Sequence, residues 1–160
     1  MKHIAIFPGS FDPIHIGHVD IISRALPMFD EIIVGIGENS QKNYLFSLDQ
    51  RVEWIQKVFE FEPKVSVESY TGLTVDFCEK KNVNYILRGL RNVGDFLFER
   101  DIAQMNQMMN RNIETVFLLT NPSLGAISSS IVRDIYKNNG DITKFIPEEI
   151  EVSVRLLKSV

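Results

Sequence analysis

Five short apolar runs, at residues 3–7, 31–36, 64–69, 84–87 and 114–119, alternate with longer segments whose apolar residues recur at helical spacing. The runs are dominated by isoleucine, valine, leucine and phenylalanine and have the length of buried strands rather than helices. Between them, Val19, Ile22 and Leu26, then Val52, Ile55 and Phe59, then Phe98, Ile102, Met105 and Met109 each mark one face of a helix. This alternation predicts an α/β chain: a Rossmann-like, doubly wound, five-stranded parallel sheet with helices on both faces and a helical segment at the C-terminus. The sequence has no repeat and no Ser- or Pro-rich linker, so one domain over residues 1–160 is expected.

Local signals refine the helix ends. Ser47-Leu48-Asp49-Gln50 has the spacing of a capping box, with Ser47 accepting from the backbone and Gln50 reaching back. Gly140-Asp141 is expected to end one helix and open the next. Pro147, followed by Glu148 and Glu149, suits the first turn of the last helix, where a missing amide costs nothing and carboxylates meet the positive end of the dipole.

In an open parallel sheet, ligands bind beyond the carboxyl ends of the strands. The segments leaving the five runs begin near Pro8, Gly37, Tyr70, Arg88 and Thr120 and hold nearly all the chemically unusual residues. Composition limits what they can bind. A net charge of -4 argues against sequence-independent nucleic-acid binding, so any anion site must be local. The single cysteine, Cys78, excludes an internal disulfide and a multi-cysteine metal site, and its apolar neighbours suggest packing. No apolar stretch approaches the ~20 residues that span a bilayer, and no long signal-peptide core is visible; a cytoplasmic protein without a membrane partner is expected.

The first of these loops, Pro8 to His18, passes through Gly9 and Pro13 and opens a helix near Gly17, where free amides and the helix dipole can receive an anion. His15 and His18 flank Gly17 at a spacing of three and share one side of the first helical turn. A metal pair with Asp12 or Asp20 is the competing reading, ranked lower because a helix N-terminus repels cations. The loop matches neither the P-loop nor the dinucleotide fingerprint. His3 reads as an ordinary polar residue.

Arg88-Gly89-Leu90-Arg91 places two guanidinium groups around a glycine at a strand's end, where they can grip phosphates bidentately. Lys42 lies on the same edge. Ser128, Ser129 and Ser130 offer hydroxyls and amides at another helix start, a pattern that suits a triphosphate or departing pyrophosphate. Asp95 and Glu99, four apart on a helix, can hold a ribose hydroxyl or support an arginine. These groups point to a reaction between phosphates. A phosphate nucleophile is already ionised at neutral pH, so alignment and charge stabilisation suffice without a triad.

Taken together, these motifs resemble the bacterial phosphopantetheine adenylyltransferases, nucleotidyltransferases with a His-x-Gly-His-type signature. The resemblance spans nearly the whole chain: Pro-Gly-Ser-Phe-Asp-Pro at 8–13, Gly17-His18, Lys42 with Phe46, Leu73, Arg88 to Arg91, Asp95-Phe96, Glu99 and Ile127 to Ser130. It implies adenylyl transfer from ATP to 4'-phosphopantetheine, giving dephospho-coenzyme A and pyrophosphate, with Mg²⁺ as the ion. It further implies that His18 stabilises the transition state and that Ser10, Lys42, Thr74 and Arg88 contact phosphopantetheine. Ser10, Phe11, His18, Gly89, Leu90, Arg91, Glu99, Leu124, Gly125, Ala126, Ile127, Ser128, Ser129 and Ser130 would line the ATP site. A homohexamer, with coenzyme A as a feedback ligand, is the assembly implied. The sequence departs from the familiar pattern at His15, where threonine is common, at Leu97-Phe98 and near Leu124 to Ala126, which leaves the role of His15 open. A related transferase with another phosphorylated acceptor and a non-catalytic nucleotide sensor are the alternative readings.

Overall fold

A computed structural model of the chain describes residues 2–158. The strands are β1 (Ile4–Gly9), β2 (Glu31–Glu38), β3 (Val65–Thr71), β4 (Tyr85–Leu90) and β5 (Glu114–Leu119). They alternate with α1 (Ile16–Ala25), α2 (Leu48–Val58), α3 (Thr74–Lys81) and α4 (Val93–Met109), and α5 (Ser129–Lys137) and α6 (Glu151–Lys158) follow β5. The sheet order is β3-β2-β1-β4-β5, every pair is parallel, and the expected α/β architecture is present. The chain builds outward from β1 to β3, then returns to the other side of β1. The carboxyl ends of β1 and β4 therefore flank the switch point, where a crevice opens.

Both faces of the sheet are covered, which explains why the strands read as continuous apolar runs. Ala5, Phe7, Ile32, Val34 and Leu87 face one core with Ile22 of α1, Trp54 and Ile55 of α2, Val132 of α5 and Val154 of α6. Ile6, Ile33 and Ile86 face a smaller core with Val75, Phe77 and Cys78 of α3. Trp54 is fully buried, and its Nε1 donates to Ser153 Oγ at 2.9 Å, tying α2 to α6. Cys78 packs there as expected, and burial pushes its thiol up to about 11.

The strands run further than their apolar patterns. Pairing of Arg88 with Phe117 and Gly89 with Leu118 keeps these residues inside β4, although the sequence placed them just after it. Gly89 has a steric reason: a Cβ there would come within 3.0 Å of Ile21 Cγ1 on α1.

Two of the helix-end expectations change. Ser47 does cap α2, accepting from the Gln50 amide at 3.2 Å, but the Gln50 side chain donates to Glu53 instead of reaching back. Gly140 follows α5 as expected, yet the left-handed residue is Asn139 (φ 61), and no helix opens at Asp141. Asp141 accepts the Thr143 amide at 3.0 Å, which makes a turn there instead. Pro147 precedes a short 3₁₀ turn, Glu148–Ile150, that leads into α6.

Candidate active site

The loop after β1 is fixed by groups from four other segments. Arg51 Nη1 of α2 donates to the Ser10 carbonyl at 2.7 Å, and Arg88 of β4 donates to the Pro8 carbonyl. The Asp12 carboxylate, 2% exposed, accepts the amides of Leu45 and Phe46 at 2.8 and 2.9 Å. From α5, Arg133 Nη1 donates to the Asp12 carbonyl at 2.7 Å and Ser129 Oγ to the Pro13 carbonyl at 3.1 Å. Phe11, held at φ 45, is buried beside Gly9, whose missing Cβ would stand 2.9 Å from the Phe11 ring. The left-handed backbone at a phenylalanine is a strained feature, held by these surrounding contacts.

His15 is the N-cap of α1. Its Nδ1 accepts the His18 amide at 3.3 Å, while His18 Nδ1 accepts the His15 amide at 3.2 Å. The two rings stack with centroids 3.6 Å apart. Burial, reinforced by the Arg91 guanidinium, lowers His15 to about 4. Burial lowers His18 as well, helped by His15, Arg88 and Arg91. Both imidazoles are therefore neutral at neutral pH. The metal reading loses its other ligands: Asp12 is committed to amides, and Asp20 pairs with Arg24 at 3.0 Å. Among the described residues, no group of three or more His, Cys, Asp and Glu could hold a metal ion.

The arginines at the end of β4 are aimed by α4. Glu99, 8% exposed, holds the Arg88 guanidinium through two hydrogen bonds. Asp95 does the same for Arg91 at 2.9 and 3.1 Å, and Asn92 caps α4 by accepting the Asp95 amide at 2.9 Å. Both carboxylates of this pair support arginines. Lys42 forms no ion pair among the described residues.

These groups border one cleft of about 630 Å³, within the range of small-molecule sites. Ser10, Lys42, Thr74 and Arg88 line it, as do Phe11, His18, Gly89, Arg91, Glu99 and residues 127–130. Leu90 is not among the lining residues and is buried; Leu124, Gly125 and Ala126 are not among them either and sit in and after the turn Pro122–Leu124. The serines are partly committed: Ser128 caps α5 by accepting the Ile131 amide, and Ser130 accepts from Arg133 at 3.2 Å. Thr74 shares a 2.8 Å hydrogen bond with the Tyr70 hydroxyl.

Sequence reasoning missed several parts. Arg51, which the sequence pattern does not single out, is 2% exposed beneath the loop, with its guanidinium 4.1 Å from the Tyr44 ring centroid. Asn106 and Thr115 also line the cleft, and Thr115 Oγ1 is buried without a hydrogen-bond partner among the described residues. Ile102 and Asn106, four apart on α4, line that end of the cleft from one side of the helix.

Residues 6–135 match the Cytidylyltransferase-like family model. Phosphopantetheine adenylyltransferase of Flavobacterium psychrophilum is 55% identical over 148 residues, covering 92% of this chain and 97% of the relative. The protein of the same name from Bacteroides fragilis is 45% identical, covering 92% and 98%. Among solved structures, a bifunctional NMN adenylyltransferase/ADP ribose pyrophosphatase from Francisella tularensis superposes with a TM-score of 0.78 at 16% identity. All of this chain is covered in that superposition, but only 51% of the longer partner, so the likeness speaks for the fold alone. On its fold, its cleft and its close relatives, the chain belongs to the phosphopantetheine adenylyltransferase family, within the cytidylyltransferase-like nucleotidyltransferases.

Proposed function

We propose that the chain transfers the adenylyl group of ATP reversibly to 4'-phosphopantetheine, giving dephospho-coenzyme A and pyrophosphate in coenzyme A biosynthesis. The observation that carries the reading is the convergence of the β1 loop, Lys42, Arg88, Arg91 and the 128–130 serines on one cleft at the switch point. Close relatives carry the name of this activity.

The acceptor phosphate is a ready-made anionic nucleophile and attacks the α-phosphate in line, with no covalent enzyme intermediate. Lys42, without a carboxylate partner among the described residues, and Arg88, with Ser10 and Thr74, take the acceptor. Gly89, Arg91 and residues 127–130 take the nucleotide, beside Phe11. His18 Nδ1 is occupied by a backbone amide, so its neutral ring carries the proton on Nε2. That donor meets the charge that develops on the α-phosphate. ATP enters as its magnesium complex, in which the ion neutralises phosphate charge. Coenzyme A, which carries both the nucleotide and the acceptor arm, competes for the cleft as a feedback ligand. The enzyme works in the cytoplasm as a homohexamer, and the exposed apolar face of α4, with Val93, Phe98 and Met108 in solvent in the single chain, supports self-assembly.

The test is pyrophosphate release from purified protein supplied with ATP, Mg²⁺ and a panel of phosphorylated acceptors. Release specific to phosphopantetheine is expected. Preference for another acceptor would make the chain a sibling transferase, and nucleotide binding without release would make it a sensor.

A further inference from the structure

We infer that His15 is a positioning residue for His18, holding that imidazole in one plane and one tautomer so that only its Nε2–H is offered to the transferring phosphate. The inference rests on the adenylyl-transfer reading. Its first support is the reciprocal cap at the start of α1. A capping box normally uses a hydroxyl at the N-cap and a carboxylate or amide three residues on. Here two imidazoles fill both places, each Nδ1 accepting the other residue's amide at 3.3 and 3.2 Å.

An Nδ1 that accepts an N–H has no proton of its own, so each neutral ring carries its proton on Nε2. Protonating either Nδ1 would set two donors head to head and break the cap. The Arg88 and Arg91 guanidinium groups nearby disfavour that protonation further.

The second support is the stack. The rings lie 18° from parallel with centroids 3.6 Å apart, and the Phe11 ring stands at 64° to His18 with centroids 4.9 Å apart. His18 therefore has a ring against its face and an aromatic wall beside it, which leaves little freedom about its side-chain torsions. Gly17 makes the stack possible: a Cβ there would stand 3.1 Å from both Cε1 and Nδ1 of His15. His15 itself is 6% exposed.

The two contributions separate experimentally. In His15→Ala the backbone amide that His18 Nδ1 accepts remains, but the cap acceptor and the stacked ring that hold His18 against it are both lost. In His15→Asn the cap acceptor returns, because asparagine is a favoured N-cap, while the ring does not. Imidazole ¹⁵N NMR on the full chain reads the His18 tautomer without substrate, and steady-state kinetics read kcat and KM. The parent is expected to show a single Nε2–H tautomer for His18. His15→Ala is expected to give a tautomer mixture and about a hundredfold lower kcat, the scale of a misplaced catalytic group, with KM for ATP changed less than about threefold. His15→Asn is expected to restore the single tautomer and recover part of kcat, to about tenfold below the parent.

A His15→Ala protein with parental kcat, or with His18 still in one tautomer, overturns the inference. The NMR arm also separates it from the activity assignment. Loss of the single tautomer in a chain that releases pyrophosphate with no acceptor would sink the reaction and leave the positioning role standing.

Discussion

The β1 loop and helix α4 both border the cleft, but the loop is pinned from four other segments while α4 buries one residue, Glu99. The loop leads directly into the first turn of α1, which carries the group proposed to meet the transition state, His18, and such a group loses its value when misplaced by an ångström. Its backbone is accordingly over-determined, with carbonyls of Pro8, Ser10, Asp12 and Pro13 all taken by side chains. Helix α4 acts at one remove. It aims Arg88 and Arg91 through two carboxylates and turns Val93, Phe98, Met105 and Met108 to solvent. Precise placement comes from cross-bracing, and an element that only aims flexible arginines can leave its outer face free for assembly.

Four measurements would break or sharpen this contrast. Removing the donor on the braced side should have the largest effect: His18→Ala is expected to lower kcat by about 10²–10³-fold with ATP binding largely kept, as for other transition-state donors. Comparable turnover in mutant and parent would reject the role.

The braced side should also be acid-sensitive. Folding lowers His15 from its ordinary 6.5 to about 4, so below 6.5 the unfolded chain binds more protons than the folded one. Stability is then full above pH 6.5 and falls as pH drops toward 4, by about 2 kcal/mol from His15 alone between pH 7.5 and 5. Urea unfolding at the two pH values checks this, and His15→Asn should shrink the difference, with the acid sensitivity of His18 remaining. An unchanged midpoint would mean that His15 is not held neutral.

Across the cleft, Glu99→Gln should release Arg88 without displacing the loop. A drop of about tenfold in kcat/KM for the acceptor is expected, with little change in KM for ATP. An equal loss for both substrates would show that Glu99 braces the loop as well. The smallest effect on the fold belongs to the outer face of α4. Phe98→Asp, at a residue 67% exposed in the single chain, should change protomer stability by no more than about 0.5 kcal/mol. Light scattering should nevertheless show a smaller assembly; an unaltered mass would place the self-association elsewhere.

Much of this was legible in the chain itself. Runs of apolar residues buried on both faces can only be strands of a covered sheet, so the alternation fixed the α/β architecture, and the rule that ligands bind at strand carboxyl ends located the cleft. The glycines, histidines and arginines that line it were visible as local strings.

Partnerships distant in sequence were not legible. Nothing near Arg51 reveals that it reaches the Ser10 carbonyl 41 positions away, and nothing near Asp12 reveals the amides of Leu45 and Phe46. His15 and His18 were readable as neighbours on one helical turn, but their stacking and exchanged hydrogen bonds depend on a ring conformation that only packing selects. The sequence by itself determined the elements, because periodicity and propensity act over a few residues. Tertiary structure decided which charges are paired and which imidazole nitrogen keeps its proton, because burial and hydrogen-bond partners are set by segments that meet only once the sheet has formed.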